Sequence, residues 1–102
     1  MKNKKTITTY KGFDKDLKCR DFQYEIGKKY TCDDAIACET GFHACENPID
    51  VFNYYSPAFN KFHVVEQGDK LSKHDDNSKV ASSYIKIGTE ISIKNMVEVA
   101  FK

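Results

Sequence analysis

The chain has 102 residues, enough for one modest core, and we predict a single domain over residues 1–102. Its 16 basic and 15 acidic residues are interleaved and leave a net charge of +1, which argues against a general nucleic-acid binder and against an acidic mimic of DNA. The amino-terminal segment is too short and polar for a signal sequence, and no run approaches the ~20 apolar residues of a membrane span, so we expect a soluble, cytoplasmic protein.

The first part of the chain predicts short strands. Thr6 to Phe13 has the β-branched and aromatic residues of a strand, and a charged turn follows it. Residues 22–26 alternate between apolar and polar side chains, and residues 30–32 resume an extended segment, which indicates a hairpin or one bent strand. The side of residues 22–26 that we expect to be buried carries Phe22, Tyr24 and Ile26.

A helix is predicted from Pro48 to about Tyr55. Asn47 is a favourable cap, Pro48 fits the first helical position, and Asp50 places a carboxylate near the positive helix end. We expect Phe42 and His43 to form a short strand or an extended entry to this helix. The side chains expected to face the core are Ile49, Phe52 and either Val51 or Tyr55.

The second half of the chain predicts two more strands and a closing helix. Phe62 to Glu66 reads as a strand, and the polar segment from Asp69 to Ser78 as an exposed, mobile loop. Lys79 to Ile87 reads as a strand whose likelier core face is Ala81, Ser83, Ile85 and Ile87. Glu90 to Ile93 suits a further strand, but we prefer a closing helix from Ile93 to Phe101 that is capped by Ser92. The side chains expected on its buried face are Ile93, Met96, Val97 and Ala100.

Together these elements predict an α+β fold. Its sheet is antiparallel or mixed, with four to six short strands, one short central helix and a C-terminal helix.

Three cysteines and a histidine lie within fourteen positions, and thiolates with imidazole are typical zinc ligands. These residues are Cys32, Cys38, His43 and Cys45. Their spacing, C-x5-C-x4-H-x-C, lacks the paired C-x2-C turns of common zinc sites, so we expect reduced, mostly buried thiols and no cofactor. Whether the four side chains converge on a metal is left open by the sequence.

Cys45 is also a candidate nucleophile. It lies two residues before the helix cap, where backbone amides and the helix dipole lower a thiol pKa, and His43 is a nearby base. The sequence shows no third, orienting group. We therefore assign no catalytic residue, and we expect binding rather than catalysis.

Four residues are candidates for contact with a ligand or partner: Arg20, His43, Tyr54 and Tyr55. Arg20 is the sole arginine, and its planar guanidinium suits a phosphate, a carboxylate or an internal salt bridge. Of the other two histidines, we expect His63 within its strand and His74 in the exposed loop.

Three motifs resemble small proteins of phages and prophages that have no assigned activity. They are Y-K-G-F from Tyr10, K-C-R-D-F-Q-Y-E-I-G-K from Lys18, and G-F-H-A-C-E-N-P-I-D-V-F-N-Y-Y from Gly41. The resemblance implies a phage accessory protein made in the bacterial cytoplasm. Our leading hypothesis is a non-enzymatic inhibitor, such as an anti-CRISPR protein, that binds a host protein such as a CRISPR effector or other defence nuclease. It would contact neither nucleic acid nor a membrane.

A more distant similarity is to the ADP-ribosyltransferase fold, in which two strands and a helix surround a nicotinamide cleft. In this comparison the family's first-strand arginine or histidine falls near Tyr10 or Lys11, and Gly41, Phe42 and His43 replace its Ser-Thr-Ser stretch. Glu66 or Glu90 would stand for its glutamate. The resemblance implies the alternative hypothesis, a nucleotide or small-ligand binding domain or a degenerate transferase, with Arg20, His43 and aromatic residues in its pocket.

Overall fold

The computed structural model describes residues 5–19, 22–33, 35, 41–73 and 78–101. The strands in chain order are β1 (Thr6–Phe13), β2 (Lys18–Cys19), β3 (Phe22–Gln23), β4 (Lys29–Thr31), β5 (Phe42–Cys45), β6 (Lys61–Lys73) and β7 (Lys79–Glu90). The helices are α1 (Pro48–Val51), between β5 and β6, and α2 (Ile93–Ala100), after β7. The predicted α+β class, with a short central helix and a C-terminal helix, is confirmed.

Four strands close into a ring through antiparallel pairing. β1 pairs with β6 along its whole length, β6 pairs with β7, and β7 pairs with β5. The ring closes where β5 meets β1 at a single residue pair, Tyr10 and Cys45. β4 extends the sheet from β7, and β2 and β3 form a separate hairpin. The join between β1 and β5 is therefore the least extensive in the ring.

The ring buries side chains on both of its faces, because successive residues of a strand point to opposite sides. The inner cluster comprises Phe13, Cys19, Tyr24, Phe42, Ala44, Val65, Ile85 and Ile87. The outer cluster comprises Cys45, Val51, Phe62 and Met96, and thus includes one residue from each helix.

A buried glutamine crosses the inside of the ring. The Gln67 side-chain oxygen accepts a hydrogen bond from the Thr9 hydroxyl (2.8 Å) on β1. Its amide nitrogen donates to the carbonyl oxygens of Phe42 on β5 (2.9 Å) and Val80 on β7 (3.0 Å). One side chain on β6 therefore joins the three other strands of the ring.

The prediction of a strand over residues 22–26 is largely wrong. β3 has only two residues, and it pairs with β2 rather than with β4. The Tyr24 amide donates to the Leu17 carbonyl in the preceding turn, whereas β4 bonds to β7, so these segments have different partners. Tyr24 is buried as predicted, but Phe22 and Ile26 are exposed.

The predicted loop from Asp69 to Ser78 is wrong over residues 69–73. β6 continues to Lys73, and Leu71 and Lys73 pair with residues of β7 across a register shift. Asp69 adopts a positive φ of 64° within this shift. The polar side chains here are mostly exposed, as predicted, but strand pairing depends on the backbone and not on burial of both faces. Residues 74–77, including His74, lie outside the described residues.

β7 is buried on both faces where it begins. Ile85 and Ile87 are buried as predicted, but Val80 and Ser82, assigned to the less buried side, are as fully buried as Ala81. The reason is that β7 begins between β5 and β6, with packed side chains on either side of the sheet. β7 also extends beyond the prediction to Glu90.

α1 begins as predicted and ends early. The Asn47 side chain accepts from the Ile49 amide (3.0 Å), which confirms the cap, but the helix ends at Val51 and turns follow. The Asp50 carboxylate accepts hydrogen bonds from the amide and the hydroxyl of Ser78 (3.0 and 2.7 Å). Asp50 therefore fixes the helix to the start of β7.

α2 and its Ser92 cap are confirmed, but its predicted buried face is wrong for Ile93 and Val97, which are exposed. Met96 is the α2 residue that enters the outer cluster. Within the described parts of the chain, no helix is long and apolar enough to cross a lipid bilayer.

Candidate functional site: a pocket between β1 and β5

The pocket lies where β1 and β5 separate. The two strands pair only at Tyr10 and Cys45, and beyond this pair they have no further register with each other. A pocket of about 400 Å³ occupies the resulting gap, lined by residues 10–12 of β1 and residues 41–45 at β5. The incomplete closure of the ring thus gives access to the space between the two clusters.

The lining contains an aromatic and a cationic group of side chains. The aromatic end consists of Phe22, Tyr24 and Phe42, whose rings contact one another. The cationic end consists of Lys79, the Tyr54 ring that its ammonium contacts, and Cys45, which pairs with Lys79 across β5 and β7. Lys11, on β1, also lines the pocket.

Lys11 is a buried cation. Its side chain is only 5 % exposed, and its ammonium donates to the carbonyl oxygen of His43 across the gap (2.6 Å). The ammonium also lies 5.8 Å from the ring centroids of Phe13 and Tyr24. Lysine is rarely buried this deeply, because the charge loses its hydration, and its presence beside a pocket points to a function.

Tyr55 forms a wall of the pocket against a glycine. A Cβ atom on Gly12 would lie 2.5 Å from Cγ and Cδ2 of the Tyr55 ring, so glycine is what lets this ring approach β1. The Tyr55 hydroxyl is hydrogen-bonded to the Cys19 thiol (2.6 Å). Tyr55 therefore connects the segment after α1 to both β1 and β2.

Tyr54 and Lys79 lie together at the cationic end. The Lys79 ammonium lies 4.4 Å from the centroid of the Tyr54 ring, and that ring is 44 % exposed. Cation–π contacts at exposed sites contribute only about 0.5–1 kcal/mol. This contact therefore contributes little to the stability of the domain.

The Cys45 thiol is held neutral, so it lacks the lowered pKa that a nucleophile at this position would need. Burial, and then the nearby Asp50 carboxylate, raise the pKa of Cys45 to about 11, although Lys79 and Lys11 act in the opposite direction. α1 is a single turn, and its start does not offset the loss of water around the thiol. Cys45 is therefore a packing residue of the outer cluster.

Burial likewise raises the pKa of the Tyr24 phenol, with a smaller contribution from Cys19 and Tyr30. The Tyr24 hydroxyl therefore stays protonated at neutral pH.

We expect Cys45 to react slowly with iodoacetamide. With a pKa of about 11 against an ordinary 9.0, its thiolate fraction at pH 8 is about 100-fold lower, and the rate should rise with pH until about pH 11. Peptide mapping by mass spectrometry would measure this rate in the folded and urea-unfolded protein, with the exposed Cys32 as an internal reference. Rapid labelling of folded Cys45 at pH 7 would contradict the assignment.

The possible zinc ligands that the structure describes, Cys32, His43 and Cys45, do not come together around one point. Among the residues that the structure describes, no group of three or more His, Cys, Asp or Glu side chains is placed to hold a metal ion. Of the described cysteines, Cys19 and Cys45 are buried, in line with the expectation of mostly buried thiols, whereas Cys32 is exposed. Cys38 lies outside the described residues.

Three of the four predicted contact residues line one pocket: His43, Tyr54 and Tyr55. Arg20 lies outside the described residues. His63 lies in β6 as predicted. It is buried there, and its Nδ1 lies 2.9 Å from the Gly88 carbonyl oxygen.

Sequence reasoning missed the two lysines of the pocket as site residues. Lys11 lies between Thr9 and Phe13 on the inward-facing positions of β1, and that alternation is the signal that would have found it. Lys79 gives no comparable signal, because the first residue of a strand is often charged.

The residues matched to the ADP-ribosyltransferase fold are brought together only in part. Tyr10, Lys11 and residues 41–43 line the pocket. Glu66 and Glu90 are exposed, and neither is among the described residues that line it.

The comparisons with known proteins give one match. The model of a family described as a domain of unknown function, DUF7666, matches residues 7–99. Neither the curated proteins nor the solved structures contain a match to the chain.

Proposed function

The chain belongs to DUF7666, a family of domains of unknown function, and from that premise we propose that it is a binding domain for a small anionic ligand with an aromatic part. The ligand would occupy the pocket between β1 and β5. Of the two hypotheses drawn from the sequence, the geometry supports the small-ligand domain best.

The observation that carries this proposal is the buried Lys11 ammonium at a pocket of about 400 Å³. The described lining holds a second cation, Lys79, and no carboxylate, so its charge favours an anion. Aromatic side chains at both ends suit a planar group. A concave site of this size and composition is typical of small-ligand binding.

The pocket chemistry favours binding over nucleophilic catalysis. Cys45 has a pKa of about 11, and burial raises the pKa of Tyr24. Both groups therefore remain protonated at neutral pH. A nucleophile or a general base must be deprotonated to act, so neither group is suited to that role.

Substitution of Lys11 by methionine tests the proposal. Calorimetry would compare naphthalene-2-sulfonate, a planar anion, with the neutral 2-naphthol. We expect Lys11→Met to weaken sulfonate binding at least tenfold, or about 1.4 kcal/mol, because one buried charge is lost. Binding of 2-naphthol should change little. Methionine has a similar length, but the substitution also removes the hydrogen bond to the His43 carbonyl oxygen, so circular dichroism is used first to establish that the variant is folded.

The matched control is Lys94→Met, which removes the same charge from an exposed position on α2. It should bind both compounds like the wild type. The proposal is overturned if the wild type binds neither naphthalene-2-sulfonate nor any nucleotide, or if Lys11→Met binds the sulfonate as tightly as the wild type does.

A second candidate function is the inhibitor of a host protein, as phage origin and an anti-CRISPR role would imply. It is favoured by an exposed apolar stripe that Ile93, Val97 and Phe101 form at every fourth residue of α2 and its end. The Lys11→Met variant separates the two hypotheses. A protein inhibitor that acts through α2 would still bind its target after the pocket cation is lost. Binding to a purified CRISPR effector nuclease would measure this.

A further inference from the structure

We infer that α2 is a self-association surface, on which two copies of the chain pair their C-terminal helices antiparallel about a two-fold axis. The surface consists of the apolar stripe, Ile93, Val97 and Phe101, and of the charged residues Lys94 and Glu98 beside it. None of these five residues lines the pocket between β1 and β5, so the surface is separate from the proposed ligand site.

α2 buries only one of its eight side chains, Met96, in its own domain. Ile93, Val97 and Phe101 are 43 %, 38 % and 81 % exposed. An isolated helix shorter than about 12–15 residues is marginal in water, so the stability of a helix this short must come from packing of its apolar face. On α2, much of that face is open to a further partner.

The charged residues of α2 are placed against the preferences of a single helix. Lys94 lies in the first turn and Glu98 in the last, whereas the helix dipole favours acidic residues at the start and basic residues at the end. A lysine four residues before a glutamate is also the less stabilising order of such a pair. Within the part of the chain that the structure describes, neither side chain makes an ion pair. Local helix stability therefore does not account for these two charges.

A second copy of α2, running in the opposite direction, supplies a partner for each charge. Lys94 and Glu98 directly follow Ile93 and Val97, so both lie on one flank of the stripe. In an antiparallel two-fold pair, each flank of a helix lies beside the same flank of its partner. The two charged positions are symmetric about residue 96, within one residue of the middle of the stripe at Val97. Lys94 of each copy therefore lies beside Glu98 of the other, and opposite dipole ends also meet.

This charge pattern favours a second copy over an unrelated protein. A two-fold interface must be self-complementary, and a surface with one cation and one anion placed symmetrically about its middle meets that condition. Three apolar side chains per copy cover less than the about 1,200–2,000 Å² that stable interfaces bury. We therefore expect a weak, reversible dimer with a dissociation constant on the order of 100 µM.

Sedimentation velocity in low-salt buffer, at protein concentrations from about 10 µM to about 1 mM, measures this association. The wild type should be mostly monomeric at the lowest concentration and mostly dimeric at the highest. Lys94→Glu and Glu98→Lys each turn both attractive pairs into repulsive ones, so each should weaken dimerisation at least about tenfold. The double variant, Lys94→Glu with Glu98→Lys, restores opposite charges and should dimerise within about threefold of the wild type.

Unfolding of α2 does not produce this pattern, because both single variants place charge as the helix dipole prefers. Circular dichroism checks that each variant is folded. Phe101→Ser, which removes the most exposed side chain of the stripe, should also weaken dimerisation. The matched control is Lys15→Glu, a charge reversal in the exposed turn between β1 and β2, which should dimerise like the wild type.

The inference is overturned if the wild type stays monomeric at the highest concentration, or if Lys94→Glu, Glu98→Lys or Phe101→Ser dimerises as tightly as the wild type. It is equally overturned if the double variant fails to recover dimerisation. A monomeric wild type would leave the stripe to a partner of another kind, such as a host protein.

Discussion

Replacing Gln67 with leucine should lower the free energy of unfolding by about 3 kcal/mol or more. The substitution would leave the Thr9 hydroxyl and the buried carbonyl oxygens of Phe42 and Val80 without the partner that Gln67 provides. Each buried polar group left unsatisfied costs about 1–3 kcal/mol, and leucine supplies no hydrogen bond. Because domains of this size are stabilised by only about 5–15 kcal/mol, the midpoint of urea unfolding should fall markedly.

The matched control is Glu66→Gln, which alters the adjacent, exposed residue of β6. It should change stability by less than about 0.5 kcal/mol, as surface substitutions usually do. Equal unfolding midpoints for Gln67→Leu and the wild type would show that Gln67 does not hold the strands of the ring together.

Introducing a side chain at Gly12 should destabilise the domain by about 2 kcal/mol and weaken ligand binding. In Gly12→Ala the new methyl group would lie 2.5 Å from the Tyr55 ring and 2.8 Å from its Cβ, so the tyrosine must move rather than rotate only its tip. Overpacking of this kind costs about 1–3 kcal/mol. The displaced ring would also lose its hydrogen bond to Cys19.

A double-mutant cycle with Tyr55→Gly isolates this contact, because glycine removes both the ring and the Cβ atom that the new methyl group would meet. Gly12→Ala in the Tyr55→Gly background should cost less than about 0.5 kcal/mol, and the two substitutions should be strongly non-additive. Chemical denaturation of the four proteins provides the energies. Additive effects would place the cost of Gly12→Ala in the backbone of β1 and not in the pocket wall.

Local patterns were sufficient for the elements whose residues interact with near neighbours. β1 has the predicted bounds, since alternation along one strand reports the two faces directly. The caps at Asn47 and Ser92 are confirmed, because a cap depends on residues two or three positions away. His43, Tyr54 and Tyr55 line the same pocket. The short helix α1, which begins just after β5, brings the two tyrosines back to the strand that carries His43.

Patterns failed where the partner of a segment is distant in the chain. β6 continues past Asp69 because β7 pairs with it there, and no property of the polar residues 69–73 reports that pairing. Cys45 has a raised pKa because tertiary packing removes water from a thiol that, in sequence, lies next to a helix start. Local sequence cannot supply either fact.

By itself, the sequence determined the α+β class, β1, both helix starts and the aromatic and histidine residues near the site, all of which follow from propensity, capping and alternation over a few residues. Only the tertiary structure decided that β5 meets β1 at one residue pair, and that Lys11 and Lys79 face the gap so formed. The physical reason is that closing a ring of strands is a property of all its pairings together, and the place where it stays open is set by contacts between residues far apart in the chain.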